Sequence, residues 1–165
     1  TLVEGLKRFK GVRRRLQHRG TVQGVSVYDD FAHHPTAIAE TLAGVRSAYP
    51  GRRIWAIFEP RSATSCRRIF QQDFVRALAA ADRVILPAVF RSTLPEEERL
   101  SPEEMVKELK ASGVDAAYIP QTADIVDAVS RESRDGDLVI VMSNGGFADI
   151  HQKLLAALDR KSSRA

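Results

Sequence analysis

Two carboxylates and two imidazoles stand side by side in the stretch DDFAHHP at residues 29–35, directly after an apolar run. A carboxylate at Asp30 can accept hydrogen bonds from ribose hydroxyls, Phe31 can lie against a base, and one of the histidines, His33 or His34, can donate to a phosphate. Pro35 suits the first turn of a helix, which sets the imidazoles beside backbone N–H groups that favour anions. This combination favours a nucleotide. The residue types also allow a plainer interpretation, in which the carboxylates cap a local turn and the histidines are polar surface.

Two more polar clusters directly follow apolar runs. One is EPRSAT, which contains Arg61 and Ser62; a planar guanidinium there can hold a carboxylate or phosphate through two hydrogen bonds. The other is SNGG, in which the side chains of Ser143 and Asn144 offer hydrogen bonds ahead of the last helix. The alternatives are an arginine paired with a surface acid and an ordinary strand-to-helix turn. Neither cluster has the glycine-lysine spacing of a phosphate-binding loop.

Metal ligation and nucleophilic catalysis find little support in the residue types. Cys66 is the single cysteine and lacks an evident histidine partner, so we expect a small buried thiol rather than a nucleophile. The histidines lack the spacing of a structural zinc site. We therefore expect no metal ligand and single out no catalytic residue. Trp55 is expected in the core, and His151 is expected to be structural or solvated.

Length and charge restrict the classes of protein to consider. A chain of 165 residues fits one domain, 1–165, and its net charge of +4 does not indicate a dedicated nucleic-acid-binding protein. A basic run at residues 7–19 contains no acid, which keeps a stand-alone nucleotide- or RNA-binding module as an alternative. One cysteine and the absence of a membrane-length apolar run suit a cytoplasmic protein. Without an initiator methionine, the chain is expected to be a piece of something longer.

The elements that position the three clusters alternate along the chain. Segments with helical period, such as the one containing Ile38, Leu42 and Val45, separate apolar runs of strand length. Those runs cover residues 25–31, 54–58, 84–89, 116–119 and 138–142. The alternation predicts an α/β fold, a Rossmann-like three-layer sandwich with a mostly parallel sheet.

The predicted sheet gains one antiparallel strand at its N-terminal side. Residues 12–19 and 25–31 flank the turn sequence GTVQG, which predicts a hairpin. Near the middle of the chain, Ser101 followed by Pro102 predicts a helix N-cap. In an open parallel sheet, ligands bind beyond the carboxyl ends of the strands, and all three polar clusters follow such ends. We therefore expect them to meet at one edge of the sheet.

Together the motifs resemble the C-terminal domain of the bacterial Mur ligases. They occur in family order across nearly the whole chain: FKGVRRRL from residue 9, VYDDFAHHPTAI from 27, FEPRSAT from 58, MSNGGF from 142 and IHQKLL from 150. Within the family they look most like members that join UDP-N-acetylmuramate to the tripeptide L-Ala-γ-D-Glu-meso-diaminopimelate in peptidoglycan recycling. Members that add L-alanine are the alternative. The chain departs from the family pattern in two places: at Gln17 and at the pair Ala148-Asp149.

The resemblance implies an ATP-dependent ligase that forms an amide through an acyl phosphate. Mg²⁺ and the phosphate-binding loop would belong mainly to a central domain absent from this chain, as is an N-terminal UDP-binding domain. This chain would be the mobile closing domain, inactive alone. By the resemblance, ATP contacts come from Arg15, Asp30, Phe31 and His33, and the incoming peptide is held by Arg61, Ser62, Ser143 and Asn144.

Overall fold

The computed structural model describes residues 13–90 and 93–162, with side chains as far as residue 160. The first half of the basic run, residues 7–12, lies outside this part of the chain. None of the helices in the described ranges is long and apolar enough to cross a membrane.

A six-stranded sheet forms the centre of the described structure. Its strands are β1 (Gln17–Val22), β2 (Val25–Asp30), β3 (Ile54–Phe58), β4 (Arg83–Leu86), β5 (Asp115–Tyr118) and β6 (Leu138–Met142). The spatial order is β1-β2-β6-β3-β4-β5. Only the β1–β2 pair is antiparallel within this sheet, and every other neighbouring pair is parallel. The predicted fold class, a mostly parallel α/β sheet with an N-terminal antiparallel strand, is confirmed.

Helices cover both faces of the sheet. They are α1 (Pro35–Ala48), α2 (Gln71–Leu78), α3 (Pro102–Ala111), α4 (Thr122–Glu132) and α5 (Ile150–Ser162). Side chains alternate along each strand, so Ile54 and Phe58 pack with α1, α2 and α3 on one face. Trp55 and Ile57 pack with α4 and α5 on the other face. A hydrophobic core therefore lies on each face of the sheet, between the strands and the helices, as a three-layer sandwich requires.

The buried Asp137 carboxylate, directly before the start of β6, accepts two hydrogen bonds. The Trp55 indole N–H donates to Asp137 Oδ2 at 2.8 Å, and the backbone N–H of Arg134 donates to the same oxygen at 3.0 Å. Trp55 is fully buried, as expected from its strand pattern. The free Cys66 thiol is also buried, and burial raises its pKa, so the group is a thiol rather than a reactive thiolate at neutral pH.

The boundaries of β1 and β4 differ most from the prediction, and those of β2 and β5 differ by one residue. The hairpin turn consists of Gln23 and Gly24, with φ of 51° and 72°, while Gly20 belongs to β1. Two residues with positive φ make the turn type that matches the twist of paired strands, so the turn is shorter than predicted. β4 ends at Leu86 rather than at residue 89, because Pro87 has no N–H to donate to a sheet ladder. The Ser101 N-cap is confirmed: its hydroxyl accepts from the Glu104 N–H at 3.3 Å.

Candidate functional site

The three polar clusters meet at one edge of the sheet. β2, β6 and β3 are parallel neighbours, and Met142 is in register with both Asp30 and Phe58. Backbone hydrogen bonds continue beyond the strand ends: Ser143 N–H donates to Asp30 O at 3.1 Å, and Glu59 N–H donates to Met142 O at 3.0 Å. The loops after these strands are named here the β2 loop (residues 31–34), the β3 loop (59–67) and the β6 loop (143–149). Together they form the carboxyl edge.

Asp30 anchors the β2 loop from within. Its carboxylate is 2% exposed. Oδ2 accepts from the N–H of Leu16 at 2.7 Å, and Oδ1 accepts from the N–H of Ala32 at 2.8 Å and from the Thr41 hydroxyl at 3.4 Å. Both oxygens are engaged by protein groups, which corresponds to the turn-capping interpretation that the residue types allowed.

Phe31 is the centre of a cationic and aromatic surface on the β2 loop. The His33 ring lies 5.1 Å from it, edge-on, and His33 Nδ1 is 2.9 Å from Phe31 O. The guanidinium carbons of Arg14 and Arg15 lie 5.1 and 5.9 Å from the ring centroid. Such a surface suits a base and its phosphates. His34 turns away instead, with its ring 5.8 Å from Phe70, beside the start of α1.

Arg14 joins the β2 and β6 loops, a role that the sequence analysis missed. Its Nη2 donates to Ser143 O at 2.5 Å and to Gly145 O at 2.8 Å, and its Nε donates to Asp29 Oδ1 at 3.3 Å. The backbone at Arg14 has a φ of 55°, and Gln17 Oε1 accepts from its N–H at 3.2 Å. The departure noted at Gln17 therefore supports the turn that aims this arginine. Three adjacent arginines gave no signal as to which one faces inward.

The β3 and β6 loops are linked through Glu59, which was part of a predicted cluster but not a predicted site residue. Its buried carboxylate accepts from the Ser143 hydroxyl at 2.5 Å and lies 3.6 Å from the Arg61 guanidinium. Ser143 Oγ also accepts from the Gly145 N–H at 2.9 Å. Ser143 is thus engaged inside the protein and determines the shape of the β6 loop.

The remaining predicted residues differ in what they offer a ligand. Ser62 Oγ donates to Ser65 Oγ at 2.8 Å and accepts from the Ser65 N–H at 3.0 Å, which closes a tight turn. Asn144 is half-buried, and within the described part of the chain its Oδ1 has no hydrogen-bond partner. The side chain of Arg61 keeps 30% exposure. Of this set, Arg61 therefore has an exposed group available for hydrogen bonds, whereas the unpaired oxygen of Asn144 is buried.

Three consecutive residues of the β6 loop have left-handed backbone conformations. Phe147, Ala148 and Asp149 have φ of 43°, 48° and 56°. Glycine adopts this region without the Cβ clash that other residues meet there. The departure at Ala148-Asp149 therefore falls where the backbone itself favours glycine.

Replacing Ala148 by glycine is expected to raise the free energy of unfolding by about 1 kcal/mol, because the left-handed Cβ clash is removed. Urea denaturation of the 165-residue chain measures this change. The matched control is Ala156→Gly, in the exposed middle of α5, which should lower the free energy of unfolding by about 1 kcal/mol. Equal losses in both variants would contradict the left-handed assignment.

A buried charge cluster lies behind the carboxyl edge. The Asp29 carboxylate is 3.3 Å from Arg14, 3.9 Å from Arg19 and 3.5 Å from His151 Nε2. Burial lowers the pKa of His151, and the nearby arginines act in the same direction, against the attraction of Asp29 and Asp149. His151 is therefore buried in its neutral form, so the structural alternative holds and the solvated one does not.

Stability should fall in mild acid because of His151. The unfolded imidazole takes up a proton below its ordinary pKa of about 6.5, whereas the folded one resists protonation. The contribution is present above that value and is lost as the pH falls through it. Urea midpoints from about pH 7.5 to about pH 5.5 should fall less in His151→Gln than in the unaltered chain. His18→Gln, at an exposed position, should follow the unaltered profile; coincident profiles for all three would refute the assignment.

Fold and carboxyl edge together define an α/β domain whose polar loops meet at the carboxyl ends of parallel strands, where open α/β sheets generally bind ligands. The chain belongs to the Mur ligase family: the family model described as "Mur ligase, glutamate ligase domain" matches residues 14–145.

Two curated relatives and one solved structure give the scale of the similarity. The chain is 42% identical over 162 residues to the Escherichia coli UDP-N-acetylmuramate–L-alanyl-γ-D-glutamyl-meso-2,6-diaminoheptandioate ligase, covering 95% of this chain and 33% of that protein. It is 33% identical over 151 residues to the Lachnospira eligens UDP-N-acetylmuramate–L-alanine ligase, covering 92% and 32%. The chain thus spans about a third of the length of these relatives.

One crystal structure with the same fold contains a single domain of about the length of this chain. It is a domain from a Haemophilus ducreyi protein assigned as a UDP-N-acetylmuramate:L-alanyl-γ-D-glutamyl-meso-diaminopimelate ligase. The TM-score is 0.68 at 32% identity, and the match covers 87% of this chain and 99% of that one. That relative therefore folds and crystallises as a domain of this extent.

Proposed function

We propose that this chain is the C-terminal domain of an ATP-dependent ligase that joins UDP-N-acetylmuramate to the tripeptide L-Ala-γ-D-Glu-meso-diaminopimelate. The observation that carries the proposal is the 42% identity, over nearly the whole chain, to a ligase named for that peptide. The L-alanine ligase aligns over almost the same stretch at 33%. It stands as the second candidate, because both relatives belong to the same family.

In this proposal the β2 loop closes over ATP. ATP supplies the phosphoryl group that activates the carboxylate of UDP-N-acetylmuramate. Phe31 offers an aromatic face for the base, while Arg15 and His33 offer cationic or donor groups for phosphate oxygens. Asp30 stabilises the same loop, because its carboxylate accepts hydrogen bonds from the backbone N–H groups of Leu16 and Ala32.

The β3 and β6 loops receive the peptide. Its carboxylates suit the planar fork of Arg61, and the half-buried side chain of Asn144 is proposed to contact the peptide from the β6 loop. Ser62 and Ser143 shape the two loops through their internal hydrogen bonds. Closure of such a domain over the other substrates excludes water from the activated carboxylate.

Magnesium is assigned to another part of the polypeptide. Among the residues that the structure describes, no group of three or more His, Cys, Asp and Glu side chains could hold a metal ion. We propose that the Mg²⁺ that accompanies ATP is held mainly by a central domain outside this chain, together with the phosphate-binding loop.

The test is phosphate release by the complete ligase, supplied with ATP and UDP-N-acetylmuramate. We expect the tripeptide to support release with a kcat/KM at least about 100-fold above that of L-alanine, since a dedicated polar site rejects an amine lacking the groups it binds. A preference for L-alanine would favour the second candidate. Release with neither amine would remove the ligase proposal and leave the nucleotide- or RNA-binding alternative.

A further inference from the structure

The guanidinium of Arg61 is held by three neighbours. Glu59 Oε1 lies 3.6 Å from Nη1, and the ring centroid of Phe90 lies 3.6 Å from Cζ. The backbone of Gly145 is so close that a Cβ there would stand 2.2 Å from both Cδ and Nε of Arg61. Long arginine side chains at a surface normally sample many rotamers. This one is confined while its side chain remains 30% exposed at the carboxyl edge.

Two of the three neighbours are themselves fixed. Glu59 is 6% exposed, and its second oxygen accepts from the Ser143 hydroxyl, which in turn accepts from the Gly145 N–H. The backbone N–H of Phe90 donates to Pro60 O at 3.1 Å, which holds the backbone of Phe90 against the β3 loop. Glu59, Phe90 and Gly145 therefore surround the guanidinium and restrict the positions that it can take.

We propose that Glu59, Phe90 and Gly145 are positioning residues that hold Arg61 ready to bind one carboxylate of the incoming acidic peptide. The inference rests on the proposed function and adds what makes the site selective. A preorganised fork binds a carboxylate with two hydrogen bonds and with less entropy lost on binding. Glu59 also lowers the local positive charge, which favours a singly charged carboxylate over a multiply charged phosphate.

Gly145 offers the sharpest test, because alanine there acts on Arg61 directly. The colliding atoms belong to a flexible side chain rather than to backbone, so the chain can fold while the guanidinium moves away. Gly44→Ala is the matched control: it is the same change on the exposed side of α1, outside the loops of the carboxyl edge, and a Cβ there meets nothing within 4 Å.

The experiment measures phosphate release by the complete ligase, with KM determined separately for the tripeptide and for ATP. Gly145→Ala should raise the tripeptide KM about 10-fold or more, while kcat and the ATP KM change less than about two-fold. Glu59→Gln and Phe90→Ala should each raise the tripeptide KM about five-fold. Gly44→Ala should leave all three constants within about two-fold.

A second readout separates positioning of Arg61 from a general effect on the loop. Tripeptides with one carboxylate converted to the amide are compared in the unaltered enzyme and in Gly145→Ala. One of these amides should lose about 10-fold in kcat/KM with the unaltered enzyme and lose no more than about two-fold with the variant, because the interaction is already gone.

The outcomes distinguish this inference from the proposed function. If the unaltered enzyme uses the tripeptide but Gly145→Ala keeps its KM, or raises the KM of ATP equally, the positioning role is wrong and the proposed function stands. If the unaltered enzyme shows no tripeptide-dependent release, the proposed function fails and the inference fails with it.

Discussion

Replacing Arg61 by alanine should raise the KM for the acidic peptide about 100-fold, the largest single effect expected at the site. Two charge-assisted hydrogen bonds to a carboxylate contribute about 3 kcal/mol in total, and about 1.4 kcal/mol corresponds to a factor of ten. Because Arg61 extends from the β3 loop and not from the nucleotide surface, the KM for ATP should change less than about two-fold.

Steady-state phosphate release by the complete ligase measures both constants. Arg131→Ala is the control, since Arg131 is 72% exposed on α4 and lies away from the carboxyl edge. Equal increases in the KM for peptide and for ATP would mean that Arg61 supports the whole edge. An unchanged peptide KM would remove Arg61 from the site.

Replacing Asp30 by alanine should affect both folding and nucleotide use. The N–H groups of Leu16 and Ala32 lose their acceptor, and a buried donor without a partner costs about 1–3 kcal/mol. We therefore expect the free energy of unfolding to fall by about 3 kcal/mol. The KM for ATP should rise about 10-fold or more, because the backbone that presents Phe31 is released.

Urea denaturation of the chain and the KM for ATP in the complete ligase test the two parts of this prediction. Asp127→Ala is the matched control, at an exposed position on α4, and should change neither quantity measurably. A destabilised Asp30→Ala variant with an unchanged KM for ATP would show that the β2 loop does not serve the nucleotide.

The most buried parts of the fold were predictable to the residue. β3 and β6 each consist of five consecutive buried apolar residues, and both were predicted with their observed bounds, Ile54–Phe58 and Leu138–Met142. A strand covered on both faces has a continuous apolar signal. β1 has no such signal, because its residues are half-buried or exposed and it lies at the edge of the sheet. The predicted start of β1 and the predicted turn after it therefore differ from those in the structure.

The meeting of the three polar clusters at one edge was predictable, but the pairing of their side chains was not. The rule that ligands bind beyond the ends of parallel strands placed all three clusters at one edge. Arg14 contacts Ser143 across 129 residues of sequence, and Glu59 contacts it across 84. Such pairs depend on the β2–β6–β3 register, which the sequence of the individual strands does not reveal. Phe90 gave no signal, because it follows the end of β4 in an irregular segment.

Hydrogen exchange in the complete ligase tests the central claim most directly: one edge of this domain receives both the nucleotide and the peptide. Exchange is measured with a non-hydrolysable ATP analogue and the tripeptide, each added separately and then together. The account predicts protection of residues 29–34 by the nucleotide and of residues 59–65 and 143–147 by the peptide. Protection confined to the opposite edge, at the Gln23-Gly24 turn and residues 112–114, would contradict it.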